Sequence, residues 1–252
     1  MDQFKNPQES HKHSLDILNI LYEYDSFMDS IEVVADMGCG TGLDVEWWAT
    51  LNTRDDPPEP HSYLCYAVDK NIKQLDPEIL KANPNIVPIQ GDFSSNRLIP
   101  RQIDLLWCHD AFQYVMNPLD TLHLWNNNMN VNGMMVLSLP QHQTYEFNRI
   151  KTRSFSGCYY HYNVCNLMYM LAVNGFDCRD CYVWMDTNNS WMHFAVYKSI
   201  DPLDPKTTTW HDLIDLRLVN DSVINCINKY GHVRQEELLF TWLDKDWRFA
   251  KN

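Results

Sequence analysis

The sequence predicts an α/β domain that holds a cofactor at the C-terminal edge of its sheet, and two observations carry that prediction. The first is the stretch Val33–Asp44, V-V-A-D-M-G-C-G-T-G-L-D. A short β-rich run (Ile31, Val33, Val34) ends at Asp36 and breaks into Gly38, Gly40 and Gly42. An apolar helical pattern then begins at Leu43 and runs through Val45, Trp47, Trp48 and Leu51. Strand, glycine turn and helix in that order cradle a ligand at the edge of a sheet. Glycines there permit positive φ and remove the Cβ atoms that would keep a ligand off the backbone. The helix N-terminus behind them offers N–H groups and a partial positive charge. The second observation is size: 252 residues hold one such domain plus an appendage.

The glycine spacing narrows the ligand. A dinucleotide fingerprint reads G-x-G-x-x-G; here the spacing is G-x-G-x-G, Leu43 stands where the last glycine of that fingerprint falls, and an acid precedes the first glycine by two residues. A carboxylate at Asp36 suits a ligand ammonium group and not a pyrophosphate.

Composition bounds the partners. The net charge of -13 repels a phosphate backbone, so nucleic acid is disfavoured as a partner without a local basic patch. A hydrophobic content of 45% with 13% aromatics suffices for a core and a lined pocket. No apolar run reaches membrane-spanning length, and the N-terminus has no signal-peptide core. Eight cysteines without a disulfide framework read as reduced thiols, so a cytoplasmic location is expected.

The remaining elements follow in order. Residues 1–13 are polar, and His11 and His13 read as solvated. Leu15, Leu18, Leu21 and Tyr22 give helical spacing from Ser14, the N-cap, to about Tyr24. Residues 52–61, rich in prolines and acids, form a loop. A strand over Tyr63–Val68 ends at Asp69, where a carboxylate can accept from both hydroxyls of a ribose. A third strand, Asn85–Gln90, leads to Gly91-Asp92-Phe93. Ile103–Cys108 is a buried strand leading to His109-Asp110-Ala111-Phe112-Gln113-Tyr114. Leu119–Trp125 is helical, Asn126–Asn132 a polar loop, and Gly133–Leu139 the fifth strand. Residues 141–161 lack a clear period and gather aromatics with Arg149, Lys151 and Arg153; three cations so close together either attract an anionic substrate or form a solvated face. Asn163–Val173 is a helix, and Phe176–Met185 with Trp191–Tyr197 form a hairpin. Cys178 and Cys181 sit on a strand, where their side chains are expected on opposite faces, so no metal is assigned. After the linker Asp201–Pro205, Trp210–Tyr230 and Val233–Trp247 read as two amphipathic helices. Their stripes dock on the core or pair two copies of the chain as a homodimer.

D-M-G-C-G-T-G resembles the first motif of the class I S-adenosylmethionine (SAM)-dependent methyltransferases, and the resemblance extends over residues 14–198. It implies a Rossmann-like sheet of seven strands, the last antiparallel, with helices on both faces. It divides the chain into a SAM-binding domain (residues 1–200, with a substrate cap at 141–161) and a C-terminal helical extension (201–252). It also implies SAM as cofactor, with S-adenosylhomocysteine (SAH) as product. Asp36 would receive the methionine ammonium group, Gly38, Gly40 and Gly42 the backbone approach, Asp69 the ribose, and Asp92 with Phe93 the adenine. One departure stands: the family usually follows the ribose acid with an apolar residue, and this chain has Lys70 and Asn71.

The end of the fourth strand faces the transferring methyl group in that family. H-D-A-F-Q-Y is neither the Asp/Asn-Pro-Pro-aromatic box of amine base methylation nor a Pro-Cys nucleophile; it is similar to methyltransferases acting on small molecules. O-, N- or C-methylation of a small-molecule acceptor by in-line displacement is the expected activity. His109, which also lines the cofactor site, is the first candidate base, followed by His142 and His161. Asp110, Phe112, Tyr160, Arg149 and Arg153 are the candidate substrate contacts. Two alternatives differ in class: a SAM-binding subunit without turnover, acting through protein contacts, and an aminopropyl transferase using decarboxylated SAM.

Overall fold

The computed structural model describes residues 17, 21, 30–51, 63–95, 97–140, 160, 162–186, 191–234 and 241–242. His142, His161, Arg149 and Arg153, and the rest of the cap expected at 141–161 (Tyr160 apart), lie outside the described residues.

Among the described residues eight strands form one sheet: β1 (Val33–Met37), β2 (Leu64–Asp69), β3 (Ile86–Gln90), β4 (Ile103–His109), β5 (Met129–Pro140), β6 (Phe176–Asp186), β7 (Trp191–Lys198) and the two-residue β8 (Thr241–Trp242). Their order is β3-β2-β1-β4-β5-β7-β6-β8. The strands run parallel except β7, which is antiparallel to both β5 and β6. The expected seven strands and antiparallel last member are therefore present, with β8 as a short addition beside β6. The helices are α1 (Leu43–Ala49), α2 (Pro77–Ala82), α3 (Pro118–Asn128), α4 (Val164–Val173), α5 (Trp210–Asp215) and α6 (Ser222–Tyr230).

Alternation along the strands sorts the side chains into two cores. Val33, Ala35 and Met37 face one way and pack with Leu122 and Trp125 of α3 and Leu167, Met168 and Leu171 of α4. Val34, Leu105, Trp107 and Val136 face the other way, against Val45, Trp47 and Trp48 of α1, Ile79 of α2, and Ile17 and Leu21. Ile17 and Leu21 are helical and buried, on the segment read as the first helix. Among the described residues no helix is long and apolar enough to cross a membrane.

Several elements depart from the sequence reading. Helix α2 was not anticipated, although its signal was present: Asp76 caps it by accepting from the Glu78 N–H at 2.9 Å, and Pro77 opens it. The expected loop at 126–132 is instead the last turn of α3 followed by the start of β5. Asn126 is buried, and its Nδ2 donates to the carbonyls of Asn174 and Ile200 at 2.7 and 3.0 Å. The buried ammonium of Lys198 donates to the carbonyls of Asn126 and Met129 at 2.8 and 3.1 Å, closing the end of that helix. A Lys198→Met variant strands those carbonyls in the interior and is expected to lower the unfolding free energy by about 2 kcal/mol in a urea titration; an unchanged midpoint would refute the capping role.

The C-terminal extension also differs. Trp210–Tyr230 is two helices, because Arg217 takes a left-handed conformation (φ 57) between them. Leu213, Leu218, Val219, Val223 and Cys226 enter the α3–α4 core, and the Tyr169 hydroxyl donates to the Thr208 carbonyl at 2.9 Å. Leu213, Leu218 and Val223 of the first stripe are thus covered by this chain's own core, while Leu216 is exposed. The helix expected over Val233–Trp247 is contradicted at Thr241 and Trp242, which pair with Tyr182 and Val183 as strand. Cys178 and Cys181 share one core, not opposite faces, because a register shift between Asp177 and Tyr182 breaks the alternation. Among the described residues no cluster of His, Cys, Asp or Glu could hold a metal.

Candidate active site

Strand order reverses between β1 and β4, which opens a crevice beyond their C-terminal ends. The glycine turn sits there. The N–H groups of Gly38 and Cys39 both donate to the Val68 carbonyl, at 2.8 and 3.1 Å, tying the turn to β2. Asp69 completes the tie: one carboxylate oxygen accepts from the Gly40 N–H at 3.1 Å and the other from the Asn71 N–H at 2.7 Å.

The three glycines, all at positive φ, have different causes. A Cβ on Gly38 would lie 2.4 Å from the Ala111 Cβ, and one on Gly42 would lie 2.2 Å from Leu75 Cδ1. Those two are demanded by the protein's own packing. At Gly40 nothing lies within 4 Å, so this is the backbone a ligand can approach.

Asp36 is the penultimate residue of β1 and is 2% exposed. The Val45 N–H of α1 donates to its carboxylate, yet Oδ2 has no hydrogen-bond partner. Burial, then the charges of Asp44 and Asp69, push its pKa well above the ordinary carboxylate value. A buried carboxyl among other acids is a place for a ligand cation.

The next strand tips carry Asp92 and Phe93. Asp92 accepts from the Ser94 N–H at 2.9 Å and the Ser94 hydroxyl at 2.5 Å, and Lys70 approaches it at 3.0 Å. Partial burial opposes its ionisation, but the Ser94 bonds and Lys70 prevail and hold the carboxyl below its usual range. Lys70, which breaks the family pattern in sequence, thus bridges the tips of β2 and β3. Phe93 packs beside the glycine turn, its Cε1 lying 3.4 Å from where a Gly38 Cβ would stand.

His109 ends β4 and is buried. Its Nδ1 lies 3.1 Å from Asp44 Oδ2, on the first turn of α1. The same oxygen accepts from Trp107 Nε1 at 3.0 Å. The Trp191 ring of β7 packs on the imidazole with centroids 5.2 Å apart. Across the sheet His109 pairs in register with Ser138, and Ser138 with His193; His193 Nδ1 meets the Ser138 hydroxyl at 2.9 Å. Asp44, Trp107, Trp191, Ser138 and His193 were not singled out in sequence. Trp107 was readable as the same-face neighbour of His109 two residues back; the others reach the site only through packing.

The candidate substrate contacts separate. Asp110 is exposed, left-handed at φ 52, and accepts from Gln113 Nε2 at 2.5 Å. Tyr160 is exposed and donates its hydroxyl proton to the Met116 carbonyl at 3.0 Å, placing it over the segment that follows β4. Phe112 is fully buried and packs with Trp125 and Tyr162, at ring distances of 5.5 and 5.4 Å.

No protein-family model matches the chain. It is 24% identical over 109 residues to malonyl-[acyl-carrier protein] O-methyltransferase 2 of Coxiella burnetii, an alignment covering 43% of this chain and 41% of that protein. The matched stretch therefore spans about two fifths of the curated relative. Among solved structures, magnesium protoporphyrin IX methyltransferase from Synechocystis, with bound SAH, superposes at a TM-score of 0.55 and 12% identity, covering 75% of this chain and 84% of that one. The StiE O-methyltransferase domain superposes at 0.56 and 12% identity, covering 81% and 78%. At such identities the likeness shows the fold.

Proposed function

We infer, from a chain that has the class I SAM-dependent methyltransferase fold, that this protein transfers a methyl group from SAM to a small-molecule acceptor. The observation that carries the reading is Asp36, a buried carboxyl with an unanswered oxygen among two further acids, beside the open backbone of Gly40.

The residues present fit such a ligand. Asp36 would take the ammonium group, and the backbone of the Gly38–Gly42 turn would admit the amino-acid end. Asp69 spends one lone pair of each oxygen on the backbone and keeps a second on each for the vicinal ribose hydroxyls. Phe93 would lie on the adenine ring, with Asp92 and Lys70 at its edge. SAM supplies, when bound, a methyl on a positively charged sulfur, so the chain's task is positioning, exclusion of water and care of the acceptor's proton. We assign the last task to His109. Asp110 and Tyr160 are the proposed acceptor contacts, and the proposal extends to His142, His161, Arg149 and Arg153 of the proposed cap.

Thermal shift tests the reading. SAM and SAH at about 100 times their Kd should add about 2.7 kcal/mol of stability, and NAD should add none. The Asp69→Ala variant should lose the SAM shift; a full shift in that variant would remove the ribose assignment. Decarboxylated SAM binding as tightly as SAM would instead favour aminopropyl transfer, since that molecule keeps the ammonium group Asp36 would hold and lacks only the carboxylate. Incubation of a metabolite extract with methyl-labelled SAM, read by mass spectrometry, identifies the acceptor.

A further inference from the structure

Asp44 closes the glycine-turn stretch without a role in the motif itself, yet its Oδ2 lies 3.1 Å from the imidazole Nδ1 of His109. Both side chains are buried, 6% and 7% exposed. We propose that Asp44 is a positioning residue: it holds His109 in the Nδ1–H tautomer, so that Nε2 is the ring atom that takes the acceptor's proton. The proposal rests on the reading of His109 as the base.

The direction of the hydrogen bond follows from Trp107. An indole N–H can only donate, and Trp107 Nε1 donates to Asp44 Oδ2 at 3.0 Å. That oxygen is therefore an acceptor, and the hydrogen between it and His109 belongs to Nδ1. In the neutral imidazole one nitrogen carries the proton and the other the lone pair, so the lone pair is on Nε2. The ring is held in that orientation by Trp191 on β7. The carboxylate is held by α1, whose Trp48 packs edge-on to Trp107 at 5.7 Å. Carboxylate, imidazole and indole come from a helix and a strand, which makes the pair rigid.

The proton count balances. An acceptor X–H forms a bond from X to the methyl carbon as the carbon–sulfur pair remains on sulfur. The proton leaving X goes to Nε2, and the positive charge gained by the imidazole replaces the one lost at the sulfonium.

The test reads the tautomer directly, without ligand. Long-range proton–nitrogen spectra of uniformly nitrogen-15-labelled protein, recorded at a pH where the imidazole is neutral, should show His109 protonated at Nδ1 and bare at Nε2. The Asp44→Ala variant should show a mixture of tautomers and a kcat lower on the order of 100-fold, with KM for the acceptor little changed. A wild-type His109 with its proton on Nε2 overturns the proposal; so does an Asp44→Ala variant that keeps one tautomer and full turnover. If that variant does not fold, the wild-type spectrum still decides. SAM binding measured separately on the same sample by calorimetry tests the methyltransferase reading alone, so the failure of one is distinguishable from the failure of the other.

Discussion

The Asp36→Asn variant is expected to be more stable than the wild type without ligand, and to bind SAM on the order of 10- to 100-fold more weakly. Both effects have one cause. Burial and the charges of Asp44 and Asp69 raise the Asp36 pKa in the folded protein, while in the unfolded chain it stays near about 3.9. Between those two values the native state binds more protons than the unfolded state. Stability contributed by this group is therefore full below the ordinary carboxylate range and is lost as pH rises through the raised folded value. At higher pH the buried charge is a penalty that asparagine removes. A ligand ammonium reverses the balance, because it favours the ionised carboxyl. SAM binding should release a proton from Asp36 below its raised pKa, and affinity should increase with pH over that window. Calorimetry in two buffers of different ionisation enthalpy measures the released proton. Asp36→Asn should abolish the release; equal proton release and equal affinity in the variant would end the assignment of Asp36 to the ammonium group.

The Gly38→Ala variant is expected to lose about 3 kcal/mol or more of folding stability together with SAM binding. Left-handed backbone costs a non-glycine residue roughly 1–2 kcal/mol, and overpacking a filled site adds typically about 1–3. Here φ is +88 and the new methyl would meet the Ala111 Cβ at 2.4 Å. Ala111 cannot swing away, since it begins the 3-10 turn of Phe112–Tyr114 just after His109, so the strain passes into the tip of β4. Gly40→Ala is the control. With φ +51 and nothing within 4 Å, it should cost only about 1 kcal/mol yet weaken SAM binding, because its methyl occupies the approach left open for ligand. Urea titration with calorimetry separates the two quantities. Unaltered SAM affinity in Gly40→Ala would show that the ligand does not approach there.

The positions proposed for the cofactor were legible because they are local. Asp36 lies near the end of β1 and the glycines follow that strand directly, Asp69 ends β2, and Asp92 and Phe93 follow β3; period-two runs and turn residues locate such positions without tertiary information. The acceptor half was not legible. His109 could be placed at the end of a strand, but its partner Asp44 is brought to it by the docking of α1 on the sheet, and Trp107 joins the same oxygen across 63 residues. Phe112 reads as a pocket aromatic in H-D-A-F-Q-Y, and only the packing of Trp125 and Tyr162 shows that it is core.

By itself the sequence determined the alternation of strands and helices, the glycine turn and the acids at three strand tips, because these follow from side-chain period, φ preference and adjacency along the chain. The tertiary structure alone decided which helix a run of asparagines would end, which face Cys181 would take, where the C-terminal stripe would dock and which carboxylate would hold His109. Those outcomes turn on burial and on partners far along the chain: the ammonium of Lys198 reaches a carbonyl 72 residues away. A buried polar group takes whichever partner the packing brings within hydrogen-bond distance, and sequence spacing does not encode that distance.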